Sequence, residues 1–112
     1  MRRWAIAAVV MAQWVALGWW GWVAAGTADV EVKVFQFRPQ ASDVAVGSVV
    51  TWVNRDEIEH TVTSGMPGAG AGRFDAALAG KGTTATVRFT EPGVYPYFCS
   101  RHQAMRGEVR VQ

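Results

Sequence analysis

Short segments of alternating apolar and polar residues, separated by turn residues, run through the chain from Asp29 to its C-terminus. In TTATVRF, residues 83–89, every second side chain is apolar, as in a strand with one face buried. The turn Glu91-Pro92-Gly93 precedes a further β-prone segment from Val94 to Cys99. Repeated short strands with turn signals between them predict an all-β fold, a Greek-key β-sandwich or barrel of seven or eight strands.

The first segment, DVEVKVFQF, breaks this alternation. Val30, Val32 and Val34 lie on one face, whereas Phe35 and Phe37 fall on the other. The one-residue slip predicts a bulge, or a strand that passes from one sheet to the other.

The N-terminus predicts export. Arg2 and Arg3 precede a stretch from residue 4 to 25 that is apolar except for Gln13, and small residues follow. We therefore expect residues 1–28 to be a signal peptide cleaved after Ala28, although cuts after residue 25 or 26 fit nearly as well. The apolar stretch is also long enough to be a retained membrane anchor. Either reading places a domain of residues 29–112 outside the cytoplasm.

Charge gives no support for a nucleic-acid partner. The chain has eleven basic and nine acidic residues, but Arg2 and Arg3 account for the excess. The remaining domain is formally neutral and carries no basic stripe with interleaved aromatic residues.

A soft ligand set lies in YPYFCSRHQAM, residues 95–105. Cys99 is the only cysteine, so the domain has no internal disulfide, and His102 and Met105 follow at a spacing of three. The other histidine, His60, begins a β-prone segment. Two imidazoles, a thiolate and a thioether favour copper. Zinc, for which Met is a poor ligand, and a Cys–His nucleophile pair are weaker alternatives.

Two stretches resemble the cupredoxins, the small blue-copper proteins, and among them the amicyanins. GVYPYFCSRHQAMRGEV resembles the ligand loop with its flanking strands, and VTWVNRDEIEHTV resembles the segment with the first histidine. The resemblance implies an eight-stranded cupredoxin sandwich with one type 1 copper ion. It also implies that His60, Cys99 and His102 are equatorial ligands and that Met105 is a long axial ligand.

The same resemblance implies a function. We expect a periplasmic or otherwise exported monomer that carries single electrons between transient redox partners and is not an enzyme. Residues 4–25 would anchor it to a membrane if they are retained. A small apolar patch of Met66, Pro67 and Ala104 would meet the partners. Copper delivery or storage is the alternative function.

This chain departs from the family at three positions. Thr61 stands where an Asn is common, and Arg101 and Gln103 stand where the amicyanins have proline. Unlike proline, Arg101 keeps its backbone N–H. We expect that N–H to bond to the Cys99 sulfur and favour Cu(I), so that Arg101→Pro lowers the reduction potential.

Overall fold

The computed structural model describes residues 24–68 and 72–112. These residues form nine strands in two sheets, one of four strands and one of five. In chain order they are β1 (Thr27–Lys33), β2 (Gln36–Arg38), β3 (Ala41–Val44), β4 (Val49–Asn54), β5 (His60–Ser64), β6 (Asp75–Leu78), β7 (Thr84–Arg88), β8 (Gly93–Cys99) and β9 (His102–Val111).

The two sheets confirm the predicted all-β sandwich. The first has the order β2-β1-β4-β7, with β1 parallel to β4, and the second has the order β3-β9-β8-β5-β6, with β3 parallel to β9. The described strands exceed the predicted number partly because β6 was not expected. Its sequence, DAAL, is short and poor in β-branched and aromatic residues, so it carries little strand signal.

The interpretation of the first segment as a bulge or a sheet-crossing strand is wrong. β1 and β2 form a hairpin in which Lys33 pairs with Gln36, and Val34 and Phe35 are the two turn residues. Both turn residues have positive φ, 53° and 58°. The alternation slips at this point because the chain reverses there.

The start of the first strand bears on the predicted cleavage site. β1 begins at Thr27, where its first residues already pair with Val49 and Val50. Cleavage after Ala28 would therefore cut the strand, whereas a cut after residue 25 or 26 would leave it whole.

The export segment itself lies mostly outside the described residues, and it stays a prediction. Within residues 24–68 and 72–112, no helix is long and apolar enough to cross a membrane.

Aromatic side chains from both sheets fill the core between them. Trp52 on β4 and Tyr97 on β8 are 0% and 1% exposed, and their rings meet edge to face with centroids 5.2 Å apart. Phe37 also packs edge to face with Tyr97, with ring centroids 4.8 Å apart. Phe89 is also buried. This packing fixes β8, the strand that ends at Cys99, against the opposite sheet.

Candidate metal centre

The side chains of His60, Cys99 and His102 converge at one end of the sandwich. Their nearest nitrogen and sulfur atoms all lie within 4.8 Å of one another. The Cys99 Sγ atom is 3.8 Å from His60 Nδ1 and 3.7 Å from His102 Nδ1. Both histidines thus direct the same ring nitrogen toward the thiol.

These separations fit three ligands around a single metal. A nitrogen at about 2.0–2.1 Å and a sulfur at about 2.3 Å from a metal lie roughly 3.8 Å apart at a trigonal angle of 120°. At a tetrahedral angle the same atoms would lie roughly 3.6 Å apart. The Cys99–His60 separation of 3.8 Å matches the trigonal value, and the Cys99–His102 separation of 3.7 Å lies between the two values. A trigonal plane of two imidazoles and one thiolate is the arrangement typical of blue copper.

Strand pairing explains why residues distant in sequence meet here. Cys99 ends β8 and pairs with His102, the first residue of β9, across a two-residue turn of Ser100 and Arg101. β5 lies beside β8, so the start of β5 at His60 is close to the end of β8. The Thr61 N–H donates to Cys99 Sγ over 3.4 Å, which joins the two strands at the site.

Met105 lies three residues beyond His102 on β9. It is 2% exposed and belongs to the core cluster that also contains Cys99. Met105 is also one of the residues that line a surface cavity with Phe35 and Ala104. A buried thioether beside the other candidate ligands suits the place of a long axial ligand. The fourth sequence-predicted site residue is therefore brought to the same end of the molecule.

Asp56 is part of the site although the sequence analysis did not select it. His60 Nε2 lies 2.8 Å from Asp56 Oδ2. Because an ionised carboxylate only accepts hydrogen bonds, the proton is on Nε2, which leaves Nδ1 free to bind a metal. A carboxylate that orients a metal-binding histidine in this way also raises its basicity. The spacing of four residues between Asp56 and His60 is the sequence signal that could have identified it.

The Asp56 carboxylate is held in its ionised form. Burial acts to raise its pKa, but the bonds from His60 and from the Val34 N–H outweigh burial and lower the pKa below the usual 3.8. Asn54, which is fully buried, holds the loop between β4 and β5 in shape. The Asn54 side-chain amide donates to the carbonyls of Ile58 and Leu78 and accepts from the Asp56 N–H.

Thr61 keeps a link between the two ligand-bearing segments even though it replaces the common Asn. The Ser100 N–H donates to Thr61 Oγ1 over 2.8 Å, and the Thr61 hydroxyl lies 3.1 Å from Ser100 Oγ. A threonine hydroxyl therefore provides a side-chain connection at this position.

Arg101 does not act as the sequence analysis expected. Among the described residues, Thr61 supplies the one backbone N–H that bonds to the Cys99 sulfur, and Arg101 does not. The Arg101 side chain forms an ion pair with Glu59, in the loop before His60. Arg101→Pro would therefore remove no hydrogen bond to the Cys99 sulfur, and the predicted fall in reduction potential loses its physical basis.

Comparisons with known proteins agree with this geometry. A family model described as "Copper binding proteins, plastocyanin/azurin family" matches residues 24–112. Amicyanin from Paracoccus denitrificans is 32% identical over 90 residues, which cover 80% of this chain and 69% of that protein. Plastocyanin from Scenedesmus fuscus is 30% identical over 98 residues, with 75% of this chain and all of that protein covered.

Solved structures give the same result. A reduced variant of amicyanin superimposes with a TM-score of 0.69 at 31% identity, covering 80% of this chain and 86% of the other. A purple cupredoxin from Nitrosopumilus maritimus superimposes with a TM-score of 0.67 at 26% identity, covering 76% and 99%. The chain belongs to the plastocyanin/azurin family of copper-binding proteins, the cupredoxins. Copper is accordingly the metal for which this donor set is built.

Proposed function

We propose that the protein is a one-electron carrier whose copper is held by His60, Cys99, His102 and Met105. The observation that supports this most strongly is the convergence of one sulfur and two nitrogen atoms, with the Cys99 sulfur 3.7 and 3.8 Å from the two histidine Nδ1 atoms. Copper bound there would supply the one-electron change between Cu(II) and Cu(I). The protein's own task is to hold the four donor atoms in place in both oxidation states.

The burial of the proposed ligands suits electron transfer. His60 and Cys99 are fully buried and Met105 is 2% exposed, so core packing limits their movement. His102 is the exception, because it is partly exposed at the surface. We assign to its ring edge the route by which an electron enters and leaves.

The surface around His102 is the proposed meeting point with redox partners. Phe35, whose ring contacts that of His102, and Ala104 expose apolar surface, and small apolar areas suit brief protein contacts. The predicted patch of Met66, Pro67 and Ala104 remains part of this proposal. So do the periplasmic or exported location, the monomeric state and anchoring through residues 4–25.

Electrochemistry of the copper-loaded protein tests the proposal. An electron carrier should show a reversible one-electron wave and should keep its copper in both oxidation states in the presence of a Cu(I) chelator. Rapid loss of Cu(I) to the chelator after reduction, with no reversible wave, would contradict this proposal and would favour copper delivery. A protein that takes up no copper would contradict both functions.

A further inference from the structure

The turn between β1 and β2 combines two unfavourable features. Val34 and Phe35 both have positive φ, 53° and 58°, in a two-residue hairpin turn that normally takes Asn-Gly. Positive φ is unusual for a bulky residue and an outlier for a β-branched one. The two side chains are also 56% and 54% exposed. Neither backbone preference nor burial of its own side chains favours this turn, and such strain persists where the surrounding structure maintains it.

A hydrogen bond network connects the turn to the metal centre. The Val34 N–H donates to both carboxylate oxygens of Asp56, at 3.0 and 3.2 Å. The same carboxylate holds His60 Nε2 at 2.8 Å. The Arg55 N–H also donates to the Val32 carbonyl over 2.8 Å. The turn is thus fixed to the loop that carries His60.

The hairpin turn places the Phe35 ring against the His102 imidazole. Its edge-to-face contact with His102 has a centroid distance of 4.9 Å and an interplanar angle of 76°. The His60 ring lies 6.2 Å away at 87°. Both values fall within the range of favourable aromatic pairs. One exposed phenyl ring therefore lies beside both imidazoles, on a turn that its own sequence disfavours.

We propose that Phe35 is a positioning residue of the copper centre, which holds the His102 imidazole in its ligating orientation and keeps water from the site. This inference rests on the ligand set proposed above. The Cu(II) centre carries one more positive charge than the Cu(I) centre, and removing water disfavours the more highly charged state. The ring should therefore raise the reduction potential and slow copper loss, since the apolar surroundings of a metal control solvent access and potential.

The double substitution Val34→Asn with Phe35→Gly separates this role from a structural one. Asn-Gly suits the turn better, so we expect the copper-free protein to unfold at a higher temperature. The copper-loaded variant should nevertheless lose copper to a chelator about two- to tenfold faster, because the aromatic contact is lost. Its reduction potential should fall. In the copper-free protein, NMR should show less restricted motion of the His102 ring.

Val34→Asn alone is the matched control. It improves the first turn position, keeps the N–H that Asp56 accepts and keeps the ring, so it should leave the potential and the rate of copper loss as in the wild type. Phe35→Tyr retains a ring of the same shape and should also behave as wild type. Phe35→Ser removes the ring without redesigning the turn and should reproduce the faster copper loss and lower potential.

The inference is overturned if the two variants without the aromatic ring, Val34→Asn with Phe35→Gly and Phe35→Ser, match Val34→Asn in reduction potential, rate of copper loss and His102 mobility. That result would leave the electron-carrier function intact, because these variants would still bind copper in the same ligand set. Conversely, a wild-type protein that binds copper without any contribution from Cys99 would contradict the proposed ligand set itself. The two failures are therefore distinguishable.

Discussion

In the proposed copper site, Met105 is the residue that would set the balance between the two oxidation states. In the proposed site its thioether is a weak axial donor, and a donor of this kind stabilises Cu(II) more than Cu(I). Its burial at 2% exposure means that an apolar replacement of similar volume should fit.

We therefore expect Met105→Leu to retain copper and the strong visible absorption but to raise the reduction potential. Cyclic voltammetry measures the change. Met66→Leu is the control, because Met66 is 46% exposed and is not a proposed ligand. A lower reduction potential in Met105→Leu, or an equal rise in Met66→Leu, would contradict the proposal that Met105 is the axial ligand.

Tyr97 is a second residue with a measurable effect of its own. Burial raises the pKa of its hydroxyl to about 12, and the neighbouring Trp52 indole counteracts this only in part. Neither the Tyr97 hydroxyl nor the Trp52 indole N–H has a hydrogen-bond partner within the described part of the chain.

The free energy of unfolding should therefore depend on pH through Tyr97. Between pH 10 and about pH 12 the unfolded chain loses this proton while the folded protein keeps it, so stability falls as pH rises. The expected loss is about 2–3 kcal/mol, since one pKa unit corresponds to about 1.4 kcal/mol. Urea titrations across this range would measure it. In Tyr97→Phe, the part of the stability loss that comes from the Tyr97 hydroxyl should be absent. If the free energy of unfolding of this variant depends on pH as in the wild type, the assignment to Tyr97 is wrong.

At the scale of elements, the site depends on how the start of β5 meets the β8–β9 hairpin. Thr61 and Ser100 join them through a backbone N–H and two hydroxyls. Glu59 and Arg101 add an ion pair between the same two segments. Because the Arg101 side chain is 58% exposed, solvent weakens this ion pair, and we consider the Thr61 bonds to be the stronger link.

Thr61→Val tests that link, because it keeps the shape of the side chain and removes the hydroxyl. We expect the free energy of unfolding to fall by about 0.5–1.5 kcal/mol and copper loss to become faster. Thermal unfolding and chelator competition measure the two effects. Thr61→Ser retains the hydroxyl and should stay close to wild type. Equal behaviour of the Val and Ser variants would show that the hydroxyl does not connect the segments.

The element scale also shows where sequence patterns fail. Alternation correctly identified β7, and the β-prone segment from Val94 to Cys99 corresponds to most of β8. It misread Val34 and Phe35, since two apolar residues are unusual in a tight turn and positive φ cannot be inferred from them. The hydrogen bonds of Asp56 to Val34 and His60 could not be predicted for a related reason. They depend on the β1–β2 hairpin, which brings the Val34 N–H to the loop between β4 and β5.

For the molecule as a whole, chemistry rather than periodicity made the site predictable. His60, Cys99 and Met105 were selected because soft ligands occur together rarely, and the structure brings them with His102 to one end of the sandwich. The contributions of Asp56 and Phe35 could not be predicted in the same way. Carboxylates and aromatic residues are common, so only their contacts with the two imidazoles distinguish them.

The visible spectrum of the Cu(II)-loaded protein, compared with that of Cys99→Ser, tests the central claim most directly. A thiolate bound to Cu(II) should give the intense absorption typical of blue copper, and the serine variant should lose that absorption because its hydroxyl cannot replace the thiolate. Ala45→Ser, a change of one small buried residue outside the site, should retain it. A colourless Cu(II)-loaded wild type, or a Cys99→Ser variant with the same absorption, would contradict the proposed copper centre.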